Sequence, residues 1–171
     1  KLKALADTGT AFQAPAGAQG EADLAHLTET YSQVSELVGR PYYEIRDRLN
    51  ALMNIQVENA PWYAELTRQM TPSFVKIVER TAQAEASIGA AKVAAALKLY
   101  RTQNGQYPVS LSELGSVLPV APVDPFSGRP YIYRREGSGF VVYSVGKAGV
   151  DTGGIADPAS LDRHMVIRVP K

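Results

Sequence analysis

The chain has 171 residues, with 18 Lys+Arg against 17 Asp+Glu, two His and no Cys. The length suits one domain of ordinary size or a domain with a sizeable appendage, and 45% hydrophobic against 20% charged residues is a globular composition, not a disordered one. A formal net charge of +1 gives no concentrated basic face for nucleic acid, the lack of Cys removes disulfides, thiolate metal sites and Cys nucleophiles, and two distant His, His26 and His164, exclude a multi-His metal site.

The chain opens Lys-Leu-Lys-Ala without Met, and it contains neither a secretory leader pattern nor the ~20 apolar residues needed to span a bilayer. The expectation is a soluble segment, processed or cut from a parent chain that is membrane-anchored upstream. Residues 1–20 read as a flexible lead-in, rich in Ala, Gly and Gln between Thr8 and Gly20. Residues 21–71 read as a helical subdomain. Leu24, Leu27, Tyr31, Val34, Leu37 and Val38 have helical spacing over 22–38, and Gly39 and Pro41 stop that helix. A second helix is predicted over 43–57, with Ile45, Leu49, Leu52, Met53 and Ile55 on or near one face. A third is predicted over 62–69, anchored by Trp62.

Thr71-Pro72 suits an N-cap and first helical position, and no further Pro occurs before Pro108. One long helix is therefore predicted over 73–102, with an Ala-rich middle that lets another backbone approach closely. Ser110 and Glu113 have capping-box spacing for a short helix, and Pro119, Pro122, Pro125 and Pro130 mark an irregular connector. Strands are predicted over 131–135, 139–145 and 164–169. A hairpin turn at Glu136-Gly-Ser-Gly139 joins the first two, and the second strand, apolar on both faces, is the central one. Charge divides unevenly: residues 1–71 hold 6 basic and 9 acidic side chains (net −3), and residues 72–171 hold 12 and 8 (net +4).

The order of these parts carries a resemblance. An Ala-rich helix ends in Leu97-Lys-Leu-Tyr-Arg-Thr-Gln-Asn-Gly-Gln-Tyr-Pro108; a connector contains Val123-Asp-Pro-Phe-Ser-Gly-Arg-Pro-Tyr131; a hairpin ends in Val142-Tyr-Ser-Val-Gly146, followed by a Gly/Asp loop from Lys147 to Asp157. Over about residues 85–157 this resembles the C-terminal part of type II secretion pseudopilins, most closely the major pseudopilin. The resemblance implies a long helix packed on a small antiparallel sheet, in a subunit of a periplasmic secretion assembly. It also implies a calcium loop in which Asp151, Asp157 and Asp162 supply carboxylates, although the family's aspartate before the first loop glycine matches Ala148 here. The cofactor expectation is therefore none, or a weakly held Ca²⁺. The family's N-terminal apolar helix has no counterpart in residues 21–71.

Other candidates have simpler readings. Asp124 suits a turn in which its carboxylate binds nearby amides, with Gly128 permitting positive φ. Tyr107, Tyr131, Tyr133 and Tyr143 are candidates for an aromatic binding face. Asp162-Arg-His164 has no nucleophile partner, and no Gly-x-Ser-x-Gly, phosphate-binding Gly loop or His-Glu-x-x-His motif occurs, so no catalytic residue is assigned. Glu44 and Arg48 pair on a solvated helix face. The expected fold is α+β: a helical N-terminal region at 21–71, then a pseudopilin-like domain at 72–171 with one long helix and a three-stranded antiparallel sheet. The expected role is non-enzymatic, as a structural or interaction module with protein partners in a bacterial secretion or cell-envelope assembly, located in the periplasm or envelope. The alternative is a peptide- or polysaccharide-binding module of a membrane-anchored envelope protein.

Overall fold

A computed structural model of the chain describes residues 17–155 and 165–170. Its elements are α1 (Ala18–Ser35), α2 (Tyr42–Met53), a π-helical turn at Asn54–Glu58, α3 (Glu65–Asn104), a 3₁₀ turn at Leu111–Ser116, and strands β1 (Ile132–Glu136), β2 (Gly139–Tyr143) and β3 (Val166–Val169). The fold is α+β, as the sequence predicts. No helix among the described residues is long and apolar enough to cross a membrane. The described residues fall into two compact units. The first holds 17–38 and 47–76; the second holds 39–46, 77–155 and 165–170.

In the first unit Val34, Leu37, Leu49, Leu52, Ala64 and Val75 are buried, which satisfies the helical periodicity of α1 and α2. The predicted third helix and long helix are one: α3 runs unbroken through Pro72. Its start is fixed from elsewhere in the sequence. The buried Asp23 carboxylate accepts hydrogen bonds from the Leu66 amide (2.7 Å), the Thr67 amide (3.1 Å) and the Thr67 hydroxyl (2.8 Å). Those amides belong to the first turn, which has no partners inside the helix. Thr71 is thus an interior residue. It is fully buried, and its hydroxyl donates to the Thr67 carbonyl at 2.7 Å. Pro72 removes one backbone donor, a cost that the buried Thr67, Thr71 and Val75 face offsets. Trp62, expected to anchor a helix, instead lies 75% exposed on the loop before α3, with its ring edge-on to Tyr63.

The second unit is built on α3 from Ile77 onward. Ala90, Val93, Ala94, Ala96 and Leu97 form its helical wall, and Tyr107, Leu114, Tyr131, Phe140 and Val142 pack on it in one core. The three strands are antiparallel in the order β1-β2-β3, with Ile132 opposite Tyr143 and Phe140 opposite Val169. β2 is central and buried along its whole length. Phe140 and Val142 belong to the core shared with α3, and the alternate residues Val141 and Tyr143 face the other way, against the backbone at Gly154. Glu113 accepts from the Val109 and Ser110 amides at 2.9 Å each, the return half of the predicted capping box. The start of α2 belongs to this unit too: Tyr42 packs edge-to-face on Phe126 (5.1 Å between centroids), and the Tyr43 amide donates to the Pro125 carbonyl.

Candidate functional site

Around Asp124, local turn chemistry becomes a tertiary joint. Its carboxylate is 1% exposed and bonds on both oxygens. Oδ1 accepts from the Phe126 amide (3.0 Å) and the Ser144 hydroxyl (2.8 Å). Oδ2 accepts from the Val145 amide (3.0 Å) and the Ser127 hydroxyl (3.3 Å). The Asp-Pro-Phe-Ser-Gly turn and the Tyr-Ser-Val-Gly end of β2 are therefore clamped by one side chain. Gly128, at φ 68, closes the turn, and the Tyr43 ring packs against it, 3.0 Å from where a Cβ would stand.

A cleft of ≈ 500 Å³ opens beside this joint. Tyr43 and Arg46 of α2 line it, with Arg129, Pro130 and Ile132 beyond the Asp124 turn and Gly149 and Asp151 after β2. Asp151 is not free within it. Its Oδ1 accepts the Tyr143 hydroxyl at 2.6 Å and the Gly153 amide at 2.7 Å, and those bonds, the phenol's first, hold the carboxyl below its ordinary range. Asp151, Asp157 and Asp162 were expected together. Asp157 and Asp162, like His164, lie outside the described residues. Among the described residues no group of three His, Cys, Asp or Glu side chains could hold a metal ion. Of the three expected carboxylates only Asp151 is described, and its Oδ1 is engaged by Tyr143 and Gly153.

The four tyrosines do not make an open aromatic face. Tyr107, Tyr131 and Tyr143 are buried and Tyr133 is half-buried: Tyr107, Tyr131 and Tyr133 fill the core that the small Ala side chains of α3 leave open, and Tyr143 is covered on the opposite face of β2 by Gly154 and Asp151. Tyr131 donates to the Ala86 carbonyl, Tyr133 to the Pro108 carbonyl and Tyr107 packs edge-on against Phe140. The exposed aromatic of the unit is Tyr43, which the sequence reading placed in a helix and gave no role. Tyr43 and Arg46, spaced by three at the start of α2, are the signal that points to it.

Burial sets a pH limit on this unit. It is the leading cause pushing the Tyr42, Tyr133 and Tyr143 phenols up to about 12, followed by Glu79 at Tyr42 and by the Asp151 bond at Tyr143. A folded-state value above the ordinary 10.0 means that the folded chain holds these protons more tightly than the unfolded chain. Their stabilising contribution is complete below about pH 10 and is lost as pH rises through about 12. The melting temperature is expected to fall steeply over that window, and less steeply in Tyr143→Phe. A flat profile there would contradict the burial of these rings.

No family model matches the chain, and no curated protein or solved structure matches it.

Proposed function

We propose that this protein is a non-enzymatic, extracytoplasmic structural and interaction module of a secretion or cell-envelope assembly, of the type II secretion pseudopilin kind, and that it works by packing a helix of a protein partner against α3. The observation that carries the reading is the outer face of α3. Ile77, Ile88 and Leu99 are 64%, 56% and 48% exposed and recur every eleven residues, close to three full turns, so they fall in one line. Thr81, Ala84, Ala91 and Ala95 are exposed between them on the same side. Small residues alternating with large apolar ones form ridges and grooves of the kind that a second helix fills. The inner face of the same helix is occupied by the sheet core, so the outer face is the one left to a partner.

Deleting the gene in its source organism is expected to reduce export of secreted proteins. A restored copy carrying Ile88→Lys is expected to leave export reduced while its melting temperature stays unchanged, since the side chain is exposed. Undiminished export in the deletion strain would sink the reading.

A further inference from the structure

We propose that the outer face of α3 pairs with the same face of a second copy of this chain, antiparallel, about a two-fold axis at Ile88. The exposed line on α3 is symmetric about that residue. Ile77 stands eleven residues before it and Leu99 eleven after; Thr81 stands seven before and Ala95 seven after. At 100° per residue all five fall within about 40° of one another around the helix. A two-fold interface uses one patch twice, so the patch must complement itself. With antiparallel axes Ile88 meets its own copy, Ile77 meets the partner's Leu99, and Thr81 meets the partner's Ala95. Large side chains then meet at the centre and at both ends, with small ones between, and all five are exposed in the single chain.

The charges beside the line follow the same symmetry with opposite sign. Glu85 lies three residues before Ile88 and Lys92 four after, on one flank of the line. At 1.5 Å per residue they stand about 5 Å and 6 Å from the axis, on opposite sides of it. The two-fold rotation therefore sets each Lys92 beside the partner's Glu85, its aliphatic stem crossing the partner's Ala84. Two reciprocal ion pairs result. Glu85 and Lys92 are exposed, and neither has an ion pair among the described residues; Glu85 borders a cleft that also holds Arg40 but forms no ion pair with it. The other flank carries Arg80, eight residues before Ile88, and Lys98, ten after. Rotation brings Arg80 towards the partner's Lys98, like against like. That contact lies about 12–15 Å from the axis, near the ends of the line and in water, where salt screens it. Opposite charges stand directly across from each other only in the antiparallel arrangement. In a parallel one Glu85 is five residues out of step with the partner's Arg80, and Lys92 turns towards the partner's Lys98.

Self-pairing rests on the reading of the outer face of α3 as a helix-packing surface, and not on membership of a secretion assembly. Its test uses the whole purified chain. Sedimentation equilibrium is expected to show a reversible monomer–dimer equilibrium between about 1 µM and 1 mM. Ile88→Lys is expected to weaken it at least tenfold, by placing two charges face to face on the axis. Lys92→Glu is expected to weaken it about tenfold, because two ion pairs become like-charge contacts. Adding Glu85→Lys to Lys92→Glu reverses both partners and is expected to restore the affinity. Arg80→Glu, which makes the contact with the partner's Lys98 attractive, is expected to tighten pairing severalfold. The chain has no Cys, so single-Cys variants report the register. Ile88→Cys is expected to form a disulfide-linked dimer on oxidation, and Leu99→Cys alone is not, while a mixture of Ile77→Cys and Leu99→Cys chains links one to the other. Three results would overturn the proposal: a monomer at 1 mM, a dimer that Lys92→Glu leaves unchanged, or self-linking of Leu99→Cys, the mark of a parallel pair. A monomeric chain whose Ile88→Lys variant still fails in export would overturn self-pairing alone and assign the face to a different protein, so the two readings fail separately.

Discussion

Replacing Asp124 by alanine is expected to destabilise the C-terminal unit by about 3–5 kcal/mol, the range for breaking a buried charged hydrogen-bond network. Four donors converge on this carboxylate: two amides, of Phe126 and Val145, and two hydroxyls, of Ser127 and Ser144. Alanine leaves all four without their acceptor at a site that is 1% exposed, where water does not replace it. The consequences spread beyond the turn. Val145 and Ser144 follow the last residue of β2, so the clamp also fixes where that strand ends. Phe126 carries the edge-to-face contact with Tyr42, so the start of α2 loosens with it.

Asp124→Asn separates charge from shape. An amide oxygen at the Oδ1 position keeps the Phe126 and Ser144 bonds, but its NH₂ then faces the Val145 amide, donor against donor. An intermediate loss of about 1–3 kcal/mol is expected for one unsatisfied buried group. Urea unfolding followed by tyrosine fluorescence would read both variants. A loss below about 1 kcal/mol for alanine would mean that the carboxylate is not the joint described here.

How far this was legible from the sequence depended on how local each cause is. The hairpin at Gly137-Ser138, the two-sided burial of β2 and the Glu113 capping bonds follow from residues within five positions of each other, and pattern finds such causes. The start of α3 does not follow that way. Thr71-Pro72 has the local signature of a helix start, but the cap is Asp23, and 43 positions separate it from Leu66. Asp124 was readable as a turn residue through its bond to Phe126, two positions on. Its second half, the bonds to Ser144 and Val145, joins segments about twenty positions apart. The tyrosines show a different limit. Alternation places Tyr131 and Tyr133 on one face of a strand, but it does not say whether that face meets solvent or a helix. Here it meets Ala90, Val93 and Leu97, and a candidate binding face becomes core. The cleft was out of reach because Arg46 and Arg129 are 83 positions apart and meet only through the packing of Tyr42 and Tyr43 on the Asp124 turn.

The second large effect is expected at Gly89, and its sign is opposite to what helix propensity gives. In an exposed helix interior, alanine is favoured over glycine by about 1 kcal/mol. At position 89 a Cβ would overlap the Tyr131 hydroxyl and stand 2.7 Å from Cζ of the same ring. The ring has no room to move away, because Tyr131 is buried in the core and its hydroxyl donates to the Ala86 carbonyl at 3.0 Å. Gly89→Ala is therefore expected to cost about 2–4 kcal/mol, through overpacking plus the loss of that hydrogen bond. Tyr131→Ala alone is expected to cost about 3–5 kcal/mol by leaving a cavity between α3 and the sheet. The decisive comparison is the double variant. With the ring gone, the clash is gone, and adding Gly89→Ala to Tyr131→Ala is expected to be neutral or to restore up to about 1 kcal/mol from propensity and partial filling of the cavity. A strong coupling between the two positions is the signature of a tyrosine seated directly on a helix backbone. If Gly89→Ala costs the same with and without the Tyr131 ring, the ring is not seated there, and the packing of the residue before β1 on the α3 backbone is wrong.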